Sequence, residues 1–195
     1  DANAYAEAAT GEKANQIDWV RCIPFFGLHL GCLAALWVGV SWVAVAVAAS
    51  LYFVRMFAIT GFYHRYFSHK TFRTSRWFQF IMAVWGNSSA QRGPLWWAAH
   101  HRHHHRHSDE ECDAHSPHQH GFLWSHMLWF TTPSNYQTNL KNVPDLAKFP
   151  ELRFIDRYDW VVPMILGITL HVLGEVLSVL YPALGTSGLQ MFVWG

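Results

Sequence analysis

The sequence predicts an all-α polytopic membrane protein, and three observations carry that prediction. No charged side chain occurs in the 33 residues from Cys22 to Val54. Charged residues make up only 14% of the chain against 51% hydrophobic ones, where soluble domains carry about 25% charge. Eleven of the fourteen Lys and Arg residues fall in one segment, from His64 to Arg157. The formal net charge of +1 excludes a nucleic-acid binder driven by bulk positive charge, and the apolar content excludes a disordered chain. Three scattered cysteines (Cys22, Cys32 and Cys112) make neither a disulfide framework nor a CxxC zinc site. Reduced, packed thiols are expected at the two in apolar surroundings.

The uncharged run is too long for one crossing. A helix of that length would reach ~50 Å, against a hydrocarbon core of ~30 Å. Two spans folded back on each other fit better, about 23–38 and 42–62, with the turn at Gly39, Val40 and Ser41. A cytosolic region, 63–157, follows, in which Trp77 to Val84 is amphipathic enough to lie along the membrane surface. A third span is expected at about 160–180, with Glu175 near its far interface. Tyr181, Pro182, Gly185 and Gly188 read as a loop, and residues 189–195 start a fourth span. The presumed turns hold no Lys or Arg, so the N-terminal segment and the large middle segment are expected on the cytosolic side. The chain begins at Asp1 and stops at Gly195 just after an apolar run, as if cut at both ends.

Histidine is the second anomaly: fourteen residues, unevenly placed. His64 and His69 frame HRYFSH at the end of the second span, and six more crowd HHRHHHRH at 100–107. His101, His104 and His105 share one face of a helix and can converge on a metal. His64 and His69, at i and i+5, lie about 140° apart on a regular helix. They suit two neighbouring metals or a frayed helix end. Imidazole serves iron, zinc, copper and nickel alike. The tract alone could be a loose metal-binding surface, but a second histidine pair some thirty residues earlier, at the end of a span, points to a metal centre at the membrane–cytosol boundary.

At these residues the chain resembles the membrane fatty acyl desaturases, with the bacterial acyl-CoA, stearoyl-type Δ9 enzymes as the nearest subgroup. HRYFSH is similar to the family's first histidine box, HxxxxH. WWAAHHRHHH is similar to the second, and the pattern W-x-x-x-H-R-x-H-H selects Trp97, His101, Arg102, His104 and His105 over the alternative register His100, His103 and His104. Residues 108–126 and 143–159 carry further likenesses. The resemblance implies a non-haem di-iron centre, with O2 as co-substrate, ligated by His64, His69, His101, His104 and His105. Asp113 and His115 are implied as partners that orient ligand rings. Gln91 and Trp97 match tunnel positions. Thr60 and Met56, one and two turns before His64, are expected deeper in the same tunnel. His100, His103 and His107 are expected to face solvent or to support the ligands.

The implied reaction removes two hydrogens from a methylene pair of a long-chain acyl thioester, leaving a cis double bond at Δ9. No acid or base side chain can break such a C–H bond, so a redox cofactor must carry the step. Zinc, which has no redox chemistry, is disfavoured. The implied partners are acyl-CoA or another acyl carrier, the lipid bilayer, and an electron donor, either a ferredoxin or a b-type cytochrome with its reductase. The implied location is the bacterial inner membrane, with the metal site on the cytosolic face. The family's third box is not among these 195 residues, so the expectation is half of a site and an inactive fragment. Three other readings stand beside this one: a histidine-box membrane hydroxylase or monooxygenase, a non-catalytic metal-binding membrane protein, and a truncated, nonfunctional relative.

Overall fold

A computed structural model of the chain describes residues 15–195, and among these there is no β-strand. The cytosolic placement expected for the N-terminal segment falls largely on residues 1–14, outside the described residues. Among the described residues, three helices are long and apolar enough to cross a membrane: α1 (Trp19–Val38), α2 (Trp42–Ser68) and α6 (Val161–Leu180). Their outward faces carry bare apolar side chains such as Leu36, Trp37, Trp42 and Val179. Patches of this extent are stable against lipid and costly against water.

Local chemistry sets the ends of the first two helices. The Asp18 carboxylate accepts from the Arg21 backbone N–H and ion-pairs its side chain at 2.6 Å, opening α1. Gly39 closes it at φ 71°, a conformation glycine adopts without a Cβ penalty. Ser41 Oγ then accepts from Ala44 N–H at 3.2 Å and starts α2. The helix α1 begins four residues ahead of the expected Ile23, and α2 runs on through Ser68. Cys22 is buried, whereas Cys32 is exposed on α1, against the expectation of a packed thiol. Its thiol donates to the Leu28 carbonyl one turn earlier at 3.4 Å.

Helix α3 (Arg76–Asn87) is capped by Ser75 and buries Met82, Ala83 and Gly86 against the end of α2. Its other face leaves Trp77 and Phe78 exposed. Helix α4 (Pro94–Arg106) carries the histidine tract. Its N-cap, Gly93, has no side chain to offer. The cap comes from Asp156 on α5 (Pro150–Arg157), whose carboxylate accepts from Trp96 N–H at 2.7 Å. A Cβ on Gly93 would strike the Asp156 backbone, so this approach requires glycine. Between α4 and α5 the chain winds through short helical turns.

Helix α7 (Gly188–Trp194) packs on α6 and α2 through Met191, Leu170 and Ala44. Gln190 and Trp194 donate to the Val38 and Gly39 carbonyls, each at 2.9 Å. Glu175 accepts from Gly188 N–H at 3.0 Å, capping α7. The turns after α1 and α6 therefore lie together at one end of the bundle. The histidines lie at the other end of α2, ~40 Å away along a helix of that length.

Candidate metal centre

The last eleven residues of α2, Ala58–Ser68, wind as a π-helix. This answers the i,i+5 spacing of the first histidine pair. In a π-helix the backbone bond runs from i to i+5, and such segments occur often at functional sites. His69 N–H donates to the His64 carbonyl at 3.1 Å, and Ser68 Oγ–H donates to the Tyr63 carbonyl at 2.9 Å. His69 is thereby brought over His64, with the two Nε2 atoms 3.2 Å apart. Neither two separate metals nor a frayed end is needed to bring the two rings together.

Helix α4 meets this pair with two more imidazoles. His101 Nε2 lies 3.1 Å from His69 Nε2, and His105 Nε2 lies 3.1 Å from His101 Nε2. The four donor atoms of His64, His69, His101 and His105 fall within 4.8 Å of one another. At a metal–nitrogen bond of ~2.05 Å, neighbouring ligand atoms stand roughly 2.9 Å apart around an octahedral ion and roughly 3.3 Å apart around a tetrahedral one. The close pairs lie between these values, so the donor set fits one transition-metal ion.

Arg102 fixes the meeting of the two helices. Its guanidinium donates to the carbonyls of Phe67 and Ser68 at the end of α2, the latter at 3.0 Å. It also pairs with Asp145 at 2.7 Å, and Asp145 reaches Lys70 at 3.0 Å. Trp97, one turn before His101, stacks on that ring at 4.7 Å and meets His64 edge-on at 6.3 Å. Burial first, then the imidazoles of His105, His64, His69 and His104, push the His101 pKa down to about 3. His69 is lowered by burial and by the same kind of neighbours. At neutral pH both rings are uncharged, the form that binds cations.

His104 stands apart from the four. Its Nδ1 lies 3.0 Å from both oxygens of Asp113, which is buried. Burial alone would raise the Asp113 pKa; hydrogen bonds from His104 and from the backbone of Asp109 and His115 outweigh it and lower it. An ionised carboxylate only accepts, so it holds a His104 proton on Nδ1, and in the neutral ring Nε2 is then the bare nitrogen. The His115 backbone N–H donates to Asp113 at 3.0 Å, while its ring packs on Trp129 at 4.1 Å and on His104 at 5.4 Å. Gln91 is exposed in the loop before α4. Met56 and Thr60 are exposed on α2, with the Thr60 hydroxyl donating to the Met56 carbonyl at 2.8 Å.

Sequence reasoning picked out all four clustered histidines and Asp113. It did not foresee the π winding, the Arg102–Asp145 clamp or the Asp156 cap. Arg102 was visible as part of the motif. Its acid lies 43 residues away and Trp96's lies 60 residues away, beyond any local signal.

The sequence is similar to that of known proteins. The model of the family described as fatty acid desaturase matches residues 40–195. The sn-1 stearoyl-lipid 9-desaturase of Anabaena variabilis is 36% identical over 169 residues, covering 85% of this chain and 61% of that protein. The sn-2 palmitoyl-lipid 9-desaturase of Nostoc sp. (strain 36) is 34% identical over 181 residues, covering 89% and 62%. An acyl-CoA 5-desaturase of Anemone leveillei is 34% identical over 160 residues, covering 75% and 49%. The chain thus spans about six-tenths of the first two relatives' length. The matched residues take in both histidine pairs and the helices that bring them together, and the chain belongs to the fatty acid desaturase family, a family of membrane oxidoreductases.

Proposed function

We propose that the complete protein is a desaturase that places a cis double bond at position 9 of a long-chain acyl group. The observation that carries this reading is the convergence of His64 and His69 with His101 and His105 at one end of a membrane-length helix. In this reading the four imidazoles hold one iron, and His104, oriented by Asp113, contributes to a second. The iron pair, with O2 and two electrons from a ferredoxin or a b-type cytochrome, supplies the oxidising power that an unactivated methylene pair demands.

The chain's own residues prepare that site. Arg102 holds the end of α2 against α4, so the ligand rings are positioned before metal arrives. Trp97 covers one side of His101 and His64 and limits water there. Asp113 keeps the His104 proton off Nε2. The reading includes a membrane hairpin of residues 23–38 and 42–62, a cytosolic region 63–157, a third span at 160–180 and the start of a fourth at 189–195, with the site at the cytosolic face. It also places Gln91, Trp97, Thr60 and Met56 along the acyl path.

Two of the relatives are named for acyl-lipids and one for an acyl-CoA, so the test supplies both. The complete coding sequence is expressed in membranes that lack desaturase, with each substrate and an electron donor. The expected result is a 9-unsaturated product and iron bound to the purified protein. Hydroxylated product would move the assignment to a hydroxylase. Variable zinc or nickel with no product would reduce it to a metal-binding tract.

A further inference from the structure

We propose that His107, Glu110 and Cys112 form an exchangeable site for a divalent transition metal, separate from the four-imidazole cluster. His107 Nδ1 lies 2.8 Å from Glu110 Oε2, and Cys112 Sγ lies 3.9 Å from the same oxygen. The three donor atoms fall within 4.8 Å of one another. An i,i+3 His–Glu pair is common on a protein surface. The Cys112 thiol beside the same oxygen adds a soft sulfur donor, which changes the chemistry of the group.

The turn that carries these side chains is held in shape. Glu110 N–H donates to the His107 carbonyl at 2.9 Å, and Asp113 N–H donates to the Glu110 carbonyl at 3.0 Å. The buried Asp113 carboxylate accepts from Asp109 N–H at 3.1 Å, and Ser116 Oγ–H donates to Asp109 Oδ1 at 2.7 Å. Cys112 is therefore anchored one residue from a buried point. His103 extends the group: its ring lies 4.7 Å from that of His107, and its Nε2 lies 3.2 Å from the Cys112 carbonyl oxygen.

A sulfur, an imidazole nitrogen and a carboxylate oxygen together select zinc-like ions over calcium or magnesium. Three protein ligands leave a coordination position for water. Glu110 and Cys112 are exposed and His107 is half-buried, so an ion can enter and leave. The site lies on the loop directly after α4. Its donors are not shared with the imidazole cluster, and the proposal stands independently of the reaction that cluster performs.

Cobalt(II) tests it, because a cobalt–sulfur bond gives a charge-transfer absorption that an all-histidine centre cannot give. The chain is purified in detergent and titrated with cobalt(II). The expected result is one sulfur-bound cobalt per chain, displaced by zinc(II). The band should vanish in Cys112→Ser and persist in the Cys22→Ser, Cys32→Ser double variant. His107→Ala and Glu110→Gln should each weaken binding by at least about tenfold, no less than the loss of an outer-shell partner does. Helical circular dichroism of each variant confirms that it is folded. A sulfur band that is absent in the folded wild-type chain, that survives Cys112→Ser, or that is indifferent to both other substitutions would overturn the proposal.

Discussion

Asp113 and Asp145 show how single carboxylates prepare the histidine site from outside it. Asp113 accepts from His104 Nδ1 and so decides which nitrogen is bare. In the complete protein, Asp113→Asn should reduce metal affinity at His104 by about 10–100-fold, read as iron content falling from two per chain toward one. Unchanged iron content would remove Asp113 from this role. Asp145 acts on stability through Arg102 and Lys70. Burial would raise its pKa, but the hydrogen bonds from those two cations lower it overall. A depressed carboxylate pKa adds stability above the free value of ~3.9, and that stability is lost as pH falls through the folded value. Asp145→Asn should therefore cost about 1–3 kcal/mol at pH 7. The gap in melting temperature from wild type should close below pH ~4. A gap that stays constant with pH would rule out the ionised pair as its source.

At the scale of elements, the winding of α2 matters most. His64 and His69 were legible as ligands because two histidines at the end of an apolar run have few other uses. Their geometry was not legible, because nothing in HRYFSH announces a π turn, and regular winding would separate the rings. The packing of α3 on that segment is equally tight. A Cβ on Gly86 would run into the ring of Tyr63, which is wholly buried and braced by Phe67 and Trp97. Gly86→Ala should therefore lose about 1–3 kcal/mol by overpacking. Gly27 on α1 has open space around it, so Gly27→Ala should gain roughly 0.5–1 kcal/mol from helix propensity alone. Thermal unfolding of both variants in detergent measures the contrast. Equal effects would mean that α3 does not sit on α2 this closely.

For the whole molecule, metal and fold are linked, because the four imidazoles come from two separate places, the C-terminal end of α2 with its cap His69 and the helix α4. An ion that binds only the folded state adds stability as its concentration rises, ~2.7 kcal/mol at a hundredfold excess over the dissociation constant. In a Cys112→Ser background, where only the imidazole centre responds, added cobalt(II) should raise the melting temperature and a chelator should reverse the rise. His101→Ala should abolish the shift. A shift that survived this substitution would mean that the ion binds elsewhere. The same view explains the charge pattern: the turns at 39–41 and 181–187 meet at the end without Lys or Arg, opposite the histidines.

The sequence by itself determined the membrane-length helices, the clustering of basic residues in the middle segment, the two histidine motifs and the family. Uncharged length, charge asymmetry and motif spacing are properties of a linear string, and lipid and metal impose them directly. Only the tertiary structure decided that α2 ends in a π-helix, that His104 stands apart from the other four, and that Asp145 and Asp156 hold α4 in place. Those outcomes depend on contacts between residues far apart in the chain, where packing and hydrogen-bond satisfaction choose among arrangements that local sequence leaves equally open.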